Sequence, residues 1–399
     1  MLETTLRHLE TLVAFDTRNP PRAIDTGGIF AWLDQTLSAA GFAVEIADHG
    51  AGSVSLHAVR GQPQLLFNVH LDTVPDSPHW TSDPFRLQVD EQRAIGLGAC
   101  DIKGAAAALV AAAQASDGAA AFLFTSDEEA DDARGIAAFL SRPMPYRAVL
   151  VAEPTGCRAV LAHRGISSMR LRFAGRAGHA SGAQAPGDSA VHQAITWGGK
   201  ALELAESRRQ QRFGGLTGLR FNIGRIEGGI KGNVIAPDCQ LRVGMRPLPA
   251  DDIDQLLAQL AGLAQPPAAD FTETFRGPPL PAGDLATAEE RRLAARDLAD
   301  ALGLPIGHAV DFWTEASLFS RAGHIALVFG PGDIAQAHSA GEWVALAQLQ
   351  AYGDAVLAIL RADSRLPLAD PADADLPDAG QSDPLAPASA RHHAGTQRA

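Results

Sequence analysis

The sequence predicts an α/β protein with a mostly parallel central sheet and a second, inserted α+β unit. Three apolar runs of strand length, at residues 65–69, 121–125 and 148–152, each lead directly into acidic or imidazole side chains. Continuous apolar runs are typical of parallel strands that are buried on both faces. Residues 166–277 follow a different pattern, in which strands and helices succeed one another in ferredoxin-like order. A chain of 399 residues is also longer than a usual single core, which favours two units.

The composition excludes several classes of protein. It is 46% hydrophobic and 20% charged, and no apolar run approaches the roughly 20 residues that span a bilayer, so a membrane role is not expected. A formal charge of −13 argues against nucleic-acid binding. The cysteines Cys100, Cys157 and Cys239 are far apart, which argues against a disulfide framework or a cysteine zinc site. The N-terminus is an amphipathic helix rather than a secretory signal, so a cytoplasmic location is expected.

The first part of the α/β domain is predicted to span residues 1–165. Residues 2–14 and 29–40 show helical periodicity, and Pro20 and Pro21 break the pattern between them. Strands are expected at residues 43–47, 53–59 and 65–70, at 121–125 and at 148–152, and an alanine-rich helix at 105–115. After Thr73 the sequence predicts a long polar loop, followed by a glycine-rich turn that places Asp101 just before the alanine-rich helix.

The second unit is predicted to span residues 166–277. Met169, Leu171 and Phe173 alternate with Arg170 and Arg172, which is typical of a strand with one solvent-exposed face. A helix at 188–213, strands at 219–227 and 239–247, a helix at 251–264 and a strand at 270–275 complete the pattern. We interpret this unit as an inserted lid or dimerisation domain.

The α/β pattern resumes at residues 278–361, the predicted second part of the first domain. It contains helices at 285–302 and 346–361, a loop with a short helix at 311–320 and a strand at 325–329. Residues 362–399 are rich in proline, alanine and aspartate and contain no aromatic residue, which predicts a disordered tail.

Polar side chains with metal-binding chemistry follow the predicted core strands. They are His70, Asp72, Asp101, Asp127, Glu128, Glu129, Glu153 and, far along the chain, His338. In an open parallel sheet, ligands collect beyond the carboxyl ends of the strands, and two imidazoles with several carboxylates suit paired zinc or cobalt ions. Asp72 could accept the second ring N–H of His70. Taken alone, His70 and Asp72 could also be solvated residues at a strand end, and the acidic pair a solvated helix start.

The order and context of these residues resemble the co-catalytic zinc deacylase and exopeptidase family. This family includes acetylornithine deacetylases, succinyl-diaminopimelate desuccinylases, aminoacylases and carboxypeptidase G. The resemblance rests on five motifs spread over residues 1–361. Glutamate at position 153 favours the deacylating branches of the family, and the whole chain looks most like the branch that acts on N-acetyl-L-citrulline. The resemblance therefore implies an amidohydrolase of an arginine pathway with up to two Zn²⁺ or Co²⁺ ions per subunit.

The family pattern implies a role for each strand-end residue. By the resemblance, His70, Asp101 and Glu153 would bind one ion, and Asp101, Glu129 and His338 the other, so Asp101 would bridge. Asp72 would orient His70, and Glu128 would be the general base. A carboxylate bound to a metal has its lone pairs committed, so its unbound neighbour is the one free to carry protons.

The second unit carries further candidates. The segment 175–181 resembles the family segment whose histidine, here His179, reaches the partner subunit's active site and stabilises the oxyanion. His179 could also be a polar residue of a glycine-flanked loop. Asn233 and Arg246 match substrate-contacting positions, and arginine suits a carboxylate because it can donate two parallel hydrogen bonds. Arg246 could instead be an exposed strand residue. Lys231 has no fixed family role; we hypothesise that it repels cationic ornithine and tolerates neutral citrulline.

The leading expectation is a homodimeric metallohydrolase that deacetylates a small N-acyl amino acid, with citrulline preferred. Acetylornithine deacetylation and a dipeptidase or carboxypeptidase activity of the same fold are the alternatives among enzymes. A metal-binding protein on a degenerate enzyme scaffold is the non-enzymatic alternative, and the intact Glu128 argues against it. Neither nucleic acid nor membrane is expected as a partner. Five other histidines lack a strand-end context and are interpreted as packing or surface residues: His57, His79, His163, His308 and His324.

Overall fold

The computed structural model describes residues 1–130, 132–182 and 188–362. The predicted tail lies outside the described residues, apart from Ala362. The helices are α1 Leu2–Ala14, α2 Gly28–Ala39, α3 Gly104–Gln114, α4 Arg134–Leu140, α5 Ala190–Ser207, α6 Ile253–Gly262, α7 Leu285–Ala301, α8 Ala316–Arg321 and α9 Leu346–Ala362. The strands are β1 Ala43–Asp48, β2 Val54–Arg60, β3 Leu65–His70, β4 Gln88–Val89, β5 Arg93–Ile95, β6 Ala120–Thr125, β7 Ala148–Val151, β8 Ile166–Ala174, β9 Arg212–Phe213, β10 Leu216–Thr217, β11 Arg220–Gly228, β12 Asp238–Arg246, β13 Asp270–Gly277, β14 Ile325–Val328 and β15 Trp343–Ala345.

The central sheet has the strand order β1-β2-β6-β3-β7-β14. Strands β6, β3, β7 and β14 run parallel, whereas β2 is antiparallel to both of its neighbours. The predicted mostly parallel α/β sheet is therefore confirmed. Every residue of β3, β6 and β7 is buried, because helices cover both faces of the sheet. Phe67 and Val69 belong to the core beneath α1, α2, α3 and α9, while Leu66 belongs to the core on the other face.

Helix α3 packs between α1 and α9 beside the sheet. Its sequence is almost entirely alanine, and all residues from Gly104 to Ala113 are buried. Small side chains combine high helix propensity with a close approach of neighbouring helices, which explains why this helix can be surrounded by others. Its N-terminal end follows the turn that carries Asp101, so the packing of α3 places Asp101 at the edge of the sheet.

Residues 166–277 form a second sheet with the order β11-β12-β8-β13, in which all neighbouring strands are antiparallel. With α5 and α6 this is the ferredoxin-like strand–helix–strand–strand–helix–strand topology. Met169, Leu171 and Phe173 face the helices and pack in one core with Trp197, whereas the arginines between them face solvent. The alternation in the sequence thus corresponds to one covered and one exposed face.

Helix α5 and the loop after Thr73 differ from the sequence-based expectation, and α4 and β15 were not predicted. The helix predicted at 188–213 begins at Ala190, where the Ser189 side chain accepts a hydrogen bond from the His192 N–H, and it ends at Ser207. Phe213 lies in the short strand β9 instead, because its ring is buried against Ala162 and Ala288 of the first unit. The predicted loop after Thr73 contains β4 and β5, and β5 pairs with the distant β15.

No helix among the described residues is both long enough and apolar enough to cross a membrane. The three cysteines, Cys100, Cys157 and Cys239, are unpaired thiols.

Candidate metal centre and its cavity

The carboxyl ends of three parallel strands bring the candidate site residues to one edge of the central sheet. His70 is the last residue of β3, Glu128 and Glu129 follow β6, and Glu153 follows β7. Asp101 reaches the same place from the turn before α3, and His338 from the loop before β15. His70, Asp101 and Glu153 are buried.

The predicted ligand residues form two groups that share Asp101. In the first, His70 Nε2 lies 3.2 Å from Asp101 Oδ1 and 3.7 Å from Glu153 Oε1. In the second, His338 Nε2 lies 3.4 Å from Asp101 Oδ2 and 2.9 Å from Glu129 Oε1. Within each group the candidate ligand atoms are all within 4.8 Å of one another. Asp101 presents a different oxygen to each imidazole, which is the arrangement that a carboxylate bridging two cations requires.

The chemistry of this cluster fits divalent metal ions. Burial raises the pKa of Glu128, and the neighbouring Glu129 raises it further. Burial also raises the pKa of Glu153, as does the nearby Asp101. Carboxylates gathered out of water in this way are stable as anions only beside positive charge. Two cations bound by nitrogen and oxygen donors would supply that charge, and such donors suit zinc and related first-row ions.

The two imidazoles respond to the same field. Burial acts to lower the pKa of His70, but hydrogen bonds to Asp101 and Asp72 outweigh it, and the pKa is raised well above its usual value. Hydrogen bonds to Asp101 and Glu129 raise the pKa of His338 to about 10. Burial acts to raise the pKa of Asp101, but the hydrogen bonds from His338 and His70 lower it overall. The raised pKa values of the two imidazoles reflect stabilisation of positive charge at this edge of the sheet, and the lowered pKa of Asp101 reflects stabilisation of its anion by that charge.

Asp72 contacts both His70 and the backbone of Glu129. His70 Nδ1 lies 3.1 Å from the backbone oxygen of Asp72 and 3.5 Å from its Oδ1, so the shorter contact is made by the main chain. The other carboxylate oxygen, Oδ2, accepts a hydrogen bond of 2.9 Å from the backbone N–H of Glu129. Asp72 Oδ1 is buried and has no hydrogen-bond partner among the residues that the structure describes. Besides its predicted contact with His70, Asp72 therefore anchors the acidic pair that follows β6.

Gly330 fixes the backbone that carries Glu153. A side-chain carbon at this position would lie 2.5 Å from the Glu153 backbone oxygen, so only glycine allows the two segments to approach this closely. The Gly330 N–H also donates a hydrogen bond of 3.0 Å to Thr155 Oγ1. The segment after β14 thus packs directly on the end of β7.

A cavity of about 230 Å³ opens over the cluster. Asp101, Glu128, Glu129, Glu153 and His338 line one side, and the other lining residues are Ile166, Arg246, Phe275, Phe312, Trp313 and Ile334. Ile166, Arg246 and Phe275 belong to strands of the second unit, so the cavity lies between the two units. The structure therefore brings Arg246 to the same cavity as the predicted metal ligands, and its contact with substrate, which the family resemblance implied, stays a prediction.

Three candidates of the second unit do not line this cavity within one chain. His179, Lys231 and Asn233 are exposed. They lie close to one another, since His179 forms a β-bridge with Val234 and the N–H of Ala180 donates a hydrogen bond of 3.1 Å to the Asn233 backbone oxygen. His179 Nδ1 lies 2.6 Å from Ser181 Oγ. The role of these residues at an active site stays a prediction.

Sequence reasoning missed the aromatic wall of the cavity and one buried carboxylate. Phe312 and Trp313 lie in a loop before α8, where no periodicity marks them, and the Trp313 indole N–H is directed to the Pro278 backbone oxygen at 3.0 Å. Glu342 follows His338 by four residues and is almost fully buried. The only sequence signal for Glu342 was an acidic residue placed next to an apolar strand.

The comparisons with known proteins agree with this geometry. A model of the family described as peptidase family M20/M25/M40 matches residues 66–362. An N-acetyl-L-citrulline deacetylase of Xanthomonas campestris pv. campestris is 70% identical over 361 residues, covering 90% of this chain and 98% of that protein. An acetylornithine deacetylase of Edwardsiella ictaluri is 31% identical over 306 residues, covering 71% of this chain and 76% of that protein. The crystal structure of aminopeptidase PepT from Bacillus cereus shares the fold, with a TM-score of 0.69 at 18% identity over 91% of this chain and 99% of that one.

Proposed function

The chain belongs to peptidase family M20/M25/M40, and from this premise we propose that it is a metal-dependent deacetylase that removes the acetyl group from N-acetyl-L-citrulline. The observation that carries the proposal is Asp101, which stands between two three-residue groups with a different oxygen toward each. The substrate comes from the relative at 70% identity. The proposal includes a place in arginine biosynthesis in the cytoplasm, and three unpaired thiols are compatible with a reducing compartment.

The proposed metal centre binds up to two ions, zinc or cobalt. His70, Asp101 and Glu153 would bind one ion, and Asp101, Glu129 and His338 the other. Bound ions of this kind polarise a carbonyl group and lower the pKa of water to about 7. Glu128 lines the cavity but belongs to neither group, so its carboxylate remains free to carry protons. In the proposal Glu128 takes a proton from the attacking water and delivers it to the nitrogen of the departing amino acid.

The cavity walls support a neutral substrate side chain. Arg246 is the basic residue of the lining apart from His338, and its guanidinium suits the α-carboxylate of an N-acyl amino acid. Among the described residues, the four lining carboxylates belong to the metal cluster and its base. An ornithine ammonium group would therefore find no separate carboxylate among these lining residues, whereas the uncharged ureido group of citrulline does not need one.

We propose that the second unit, residues 166–277, acts as lid and dimerisation domain between the two parts of the catalytic domain, 1–165 and 278–361. Strand β11 is an edge strand of its sheet, and Ile226 on it is 51% exposed. Ile195 and Leu202 on α5 are 60% and 53% exposed. An unpaired strand edge beside exposed apolar side chains is a surface that a second copy of the chain can cover. In such a homodimer, His179 and Asn233 would complete the site of the partner subunit.

A substrate panel tests the proposed function. The metal-loaded protein is assayed with N-acetyl-L-citrulline, N-acetylornithine, succinyl-diaminopimelate and a set of dipeptides, and kcat/KM is compared. We expect the highest value for N-acetyl-L-citrulline. A higher value for N-acetylornithine or for a dipeptide would replace the proposed substrate. Absence of turnover with every compound would favour the non-enzymatic metal-binding alternative.

The same panel tests the hypothesis about Lys231. Removal of a charge that repels ornithine should raise kcat/KM for N-acetylornithine relative to N-acetyl-L-citrulline in Lys231→Ala, by a few-fold for an exposed charge. Lys200→Ala, which removes the same charge from α5 of the same unit, is the matched control and should leave the ratio unchanged. An unchanged ratio in Lys231→Ala would contradict the hypothesis.

A further inference from the structure

Glu342 joins the two segments that carry Asp101 and His338, although it belongs to neither candidate metal group. It is 1% exposed and follows His338 by four residues. Its Oε1 accepts hydrogen bonds from the backbone N–H groups of Cys100 at 2.8 Å and Asp101 at 2.9 Å. Its Oε2 accepts one from the N–H of Gly98 at 2.9 Å. One carboxylate thus satisfies three backbone donors of the turn that presents Asp101.

The turn receives these acceptors where its own backbone departs from helical geometry. Gly98 has a φ of +76°, and Asp101 departs from helical geometry inside the turn Ala99–Lys103. A side-chain carbon at Gly98 would lie 2.7 Å from the Thr73 side chain, so the turn is also tightly enclosed. Buried N–H groups without an acceptor cost free energy comparable to a lost hydrogen bond, so the conformation around Asp101 depends on an acceptor from elsewhere.

The main chain ties the same two segments together on the other side of Glu342. Its backbone oxygen accepts a hydrogen bond of 3.0 Å from the Gly96 N–H, and the next residue, Trp343, pairs with Ile95 in the β15–β5 ladder. At its C-terminal end, the loop that carries His338 is therefore attached to the Asp101 segment by both the backbone and the side chain of Glu342.

We propose that Glu342 is a positioning residue that braces the Asp101 turn against the His338 loop, and thereby sets the separation of the two residues that share the second metal group. The proposal rests on the metal centre of the proposed function. His338 Nε2 lies 3.4 Å from Asp101 Oδ2, although the two residues are more than two hundred positions apart in sequence. Because Asp101 is common to both groups, displacement of its turn disturbs both ions.

Two substitutions of Glu342 remove its hydrogen bonds to the Asp101 turn to different extents. Glu342→Gln keeps one oxygen for the N–H groups of Cys100 and Asp101, but it presents an NH₂ donor to the N–H of Gly98. Glu342→Ala removes all three acceptors. Asp333→Asn is the charge-matched control, since Asp333 is an exposed carboxylate of the same segment whose side chain caps a short helical turn through the Ala335 N–H.

The test is calorimetric titration of each metal-free protein with Zn²⁺. We expect two ions per chain in the wild type and in Asp333→Asn. Residues that orient metal ligands typically contribute 10- to 100-fold in metal affinity, so we expect losses of about that size in Glu342→Gln and larger ones in Glu342→Ala. Excess Zn²⁺ should restore turnover to Glu342→Gln, because Glu128 and the ligands themselves remain.

A second measurement separates positioning from general stability. A merely structural Glu342 would lower the Tm of metal-free and metal-loaded Glu342→Gln equally, whereas a positioning role also reduces the rise in Tm that Zn²⁺ produces. If folded Glu342→Gln binds two ions at wild-type affinity and Zn²⁺ raises its Tm as much as in the wild type, the positioning role of Glu342 is wrong, but the proposed metal centre is unaffected. A wild-type protein that takes up no Zn²⁺ would instead overturn the metal centre, and with it the proposed function.

Discussion

The candidate residues of the two units differ in how completely one chain positions them. On the first unit, His70 is the last residue of a fully buried strand, Glu129 and Glu153 follow two others, and all three lie at one sheet edge. On the second, His179 and Asn233 lie on exposed segments and do not reach the cavity that contains Glu128. The first set is fixed by the core of the domain. The second set could reach such a cavity only through a movement of the unit or from a second chain, and the predictions below test that difference.

The largest effect is expected from the residue that lies in the cavity but outside both metal groups. Glu128→Gln keeps the shape of the side chain and removes its capacity to accept a proton. General base catalysis contributes about 10²- to 10⁴-fold, so kcat should fall by that order while two ions remain bound. Turnover and metal content of the same sample check both halves of this expectation.

The neighbouring residue supplies the matched control. Glu129 lies in the second metal group with Asp101 and His338, so Glu129→Gln should weaken the binding of one ion. Loss of an ion from Glu128→Gln, or full turnover by it, would show that the two adjacent carboxylates have been assigned the wrong roles.

The next effect concerns the second unit. His179→Ala should lower kcat by about 10²- to 10³-fold if the imidazole stabilises the oxyanion. If His179 acts across a dimer, co-expression of differently tagged Glu128→Gln and His179→Ala chains should restore turnover. In the mixed dimer, one site combines Glu128 of its own chain with His179 of the other. Co-expression of two His179→Ala chains should restore nothing, and failure of the mixed dimer to exceed it would place His179 in its own chain's site or outside catalysis.

The same contrast explains which parts of the molecule the sequence could predict. His70 and Glu153 were recognisable because the apolar runs before them dictate buried strands, and parallel strands end at one edge. The end of α5 was not recognisable, because Phe213 continues the helical pattern in the sequence but packs in the structure against Ala162 and Ala288 of the other unit. Strands β4 and β5 were missed because two- and three-residue strands carry little periodicity and β5 depends on distant β15.

The site shows the same limit. Glu342 bonds to backbone N–H groups of residues 98–101, so its importance depends on loop conformations that no local pattern encodes. Phe312 and Trp313 line the cavity from a loop, and only the fold directs them there. Side chains at the ends of core strands were therefore predictable from the residues alone, whereas the candidates Asp101 and His338, which lie in a turn and a loop, were predicted only through the family resemblance.

The smallest effect tests the segment where the two units join. His163 is fully buried just before the chain enters β8, with Nδ1 2.7 Å from the Arg164 backbone oxygen and Nε2 3.0 Å from Thr314 Oγ1. Burial lowers the pKa of His163 to about 4, and the charge of Arg246 adds to this shift. The folded protein therefore keeps His163 neutral in a pH range where the unfolded chain, with a usual pKa near 6.5, binds a proton.

The sign of the resulting pH dependence is fixed by that difference. At a pH well above 6.5 neither state binds the proton, so His163 contributes no pH dependence there. As the pH falls from 6.5 to 4, the unfolded state gains a proton that the folded state does not, and the free energy of unfolding decreases. The total loss should be on the order of 3 kcal/mol.

Denaturant unfolding of metal-free wild type and His163→Gln between pH 4 and 6.5 measures this loss as a difference between the slopes of unfolding free energy against pH. Other groups with shifted pKa values give both proteins a common background, in which the lowered pKa values of His57 and His324 and the raised pKa values of Glu128 and Glu153 act in opposite directions, so only the difference between the two slopes reports on His163. Equal slopes would mean that the folded protein protonates His163 as readily as the unfolded chain does, and that the joint between the units admits a charged imidazole.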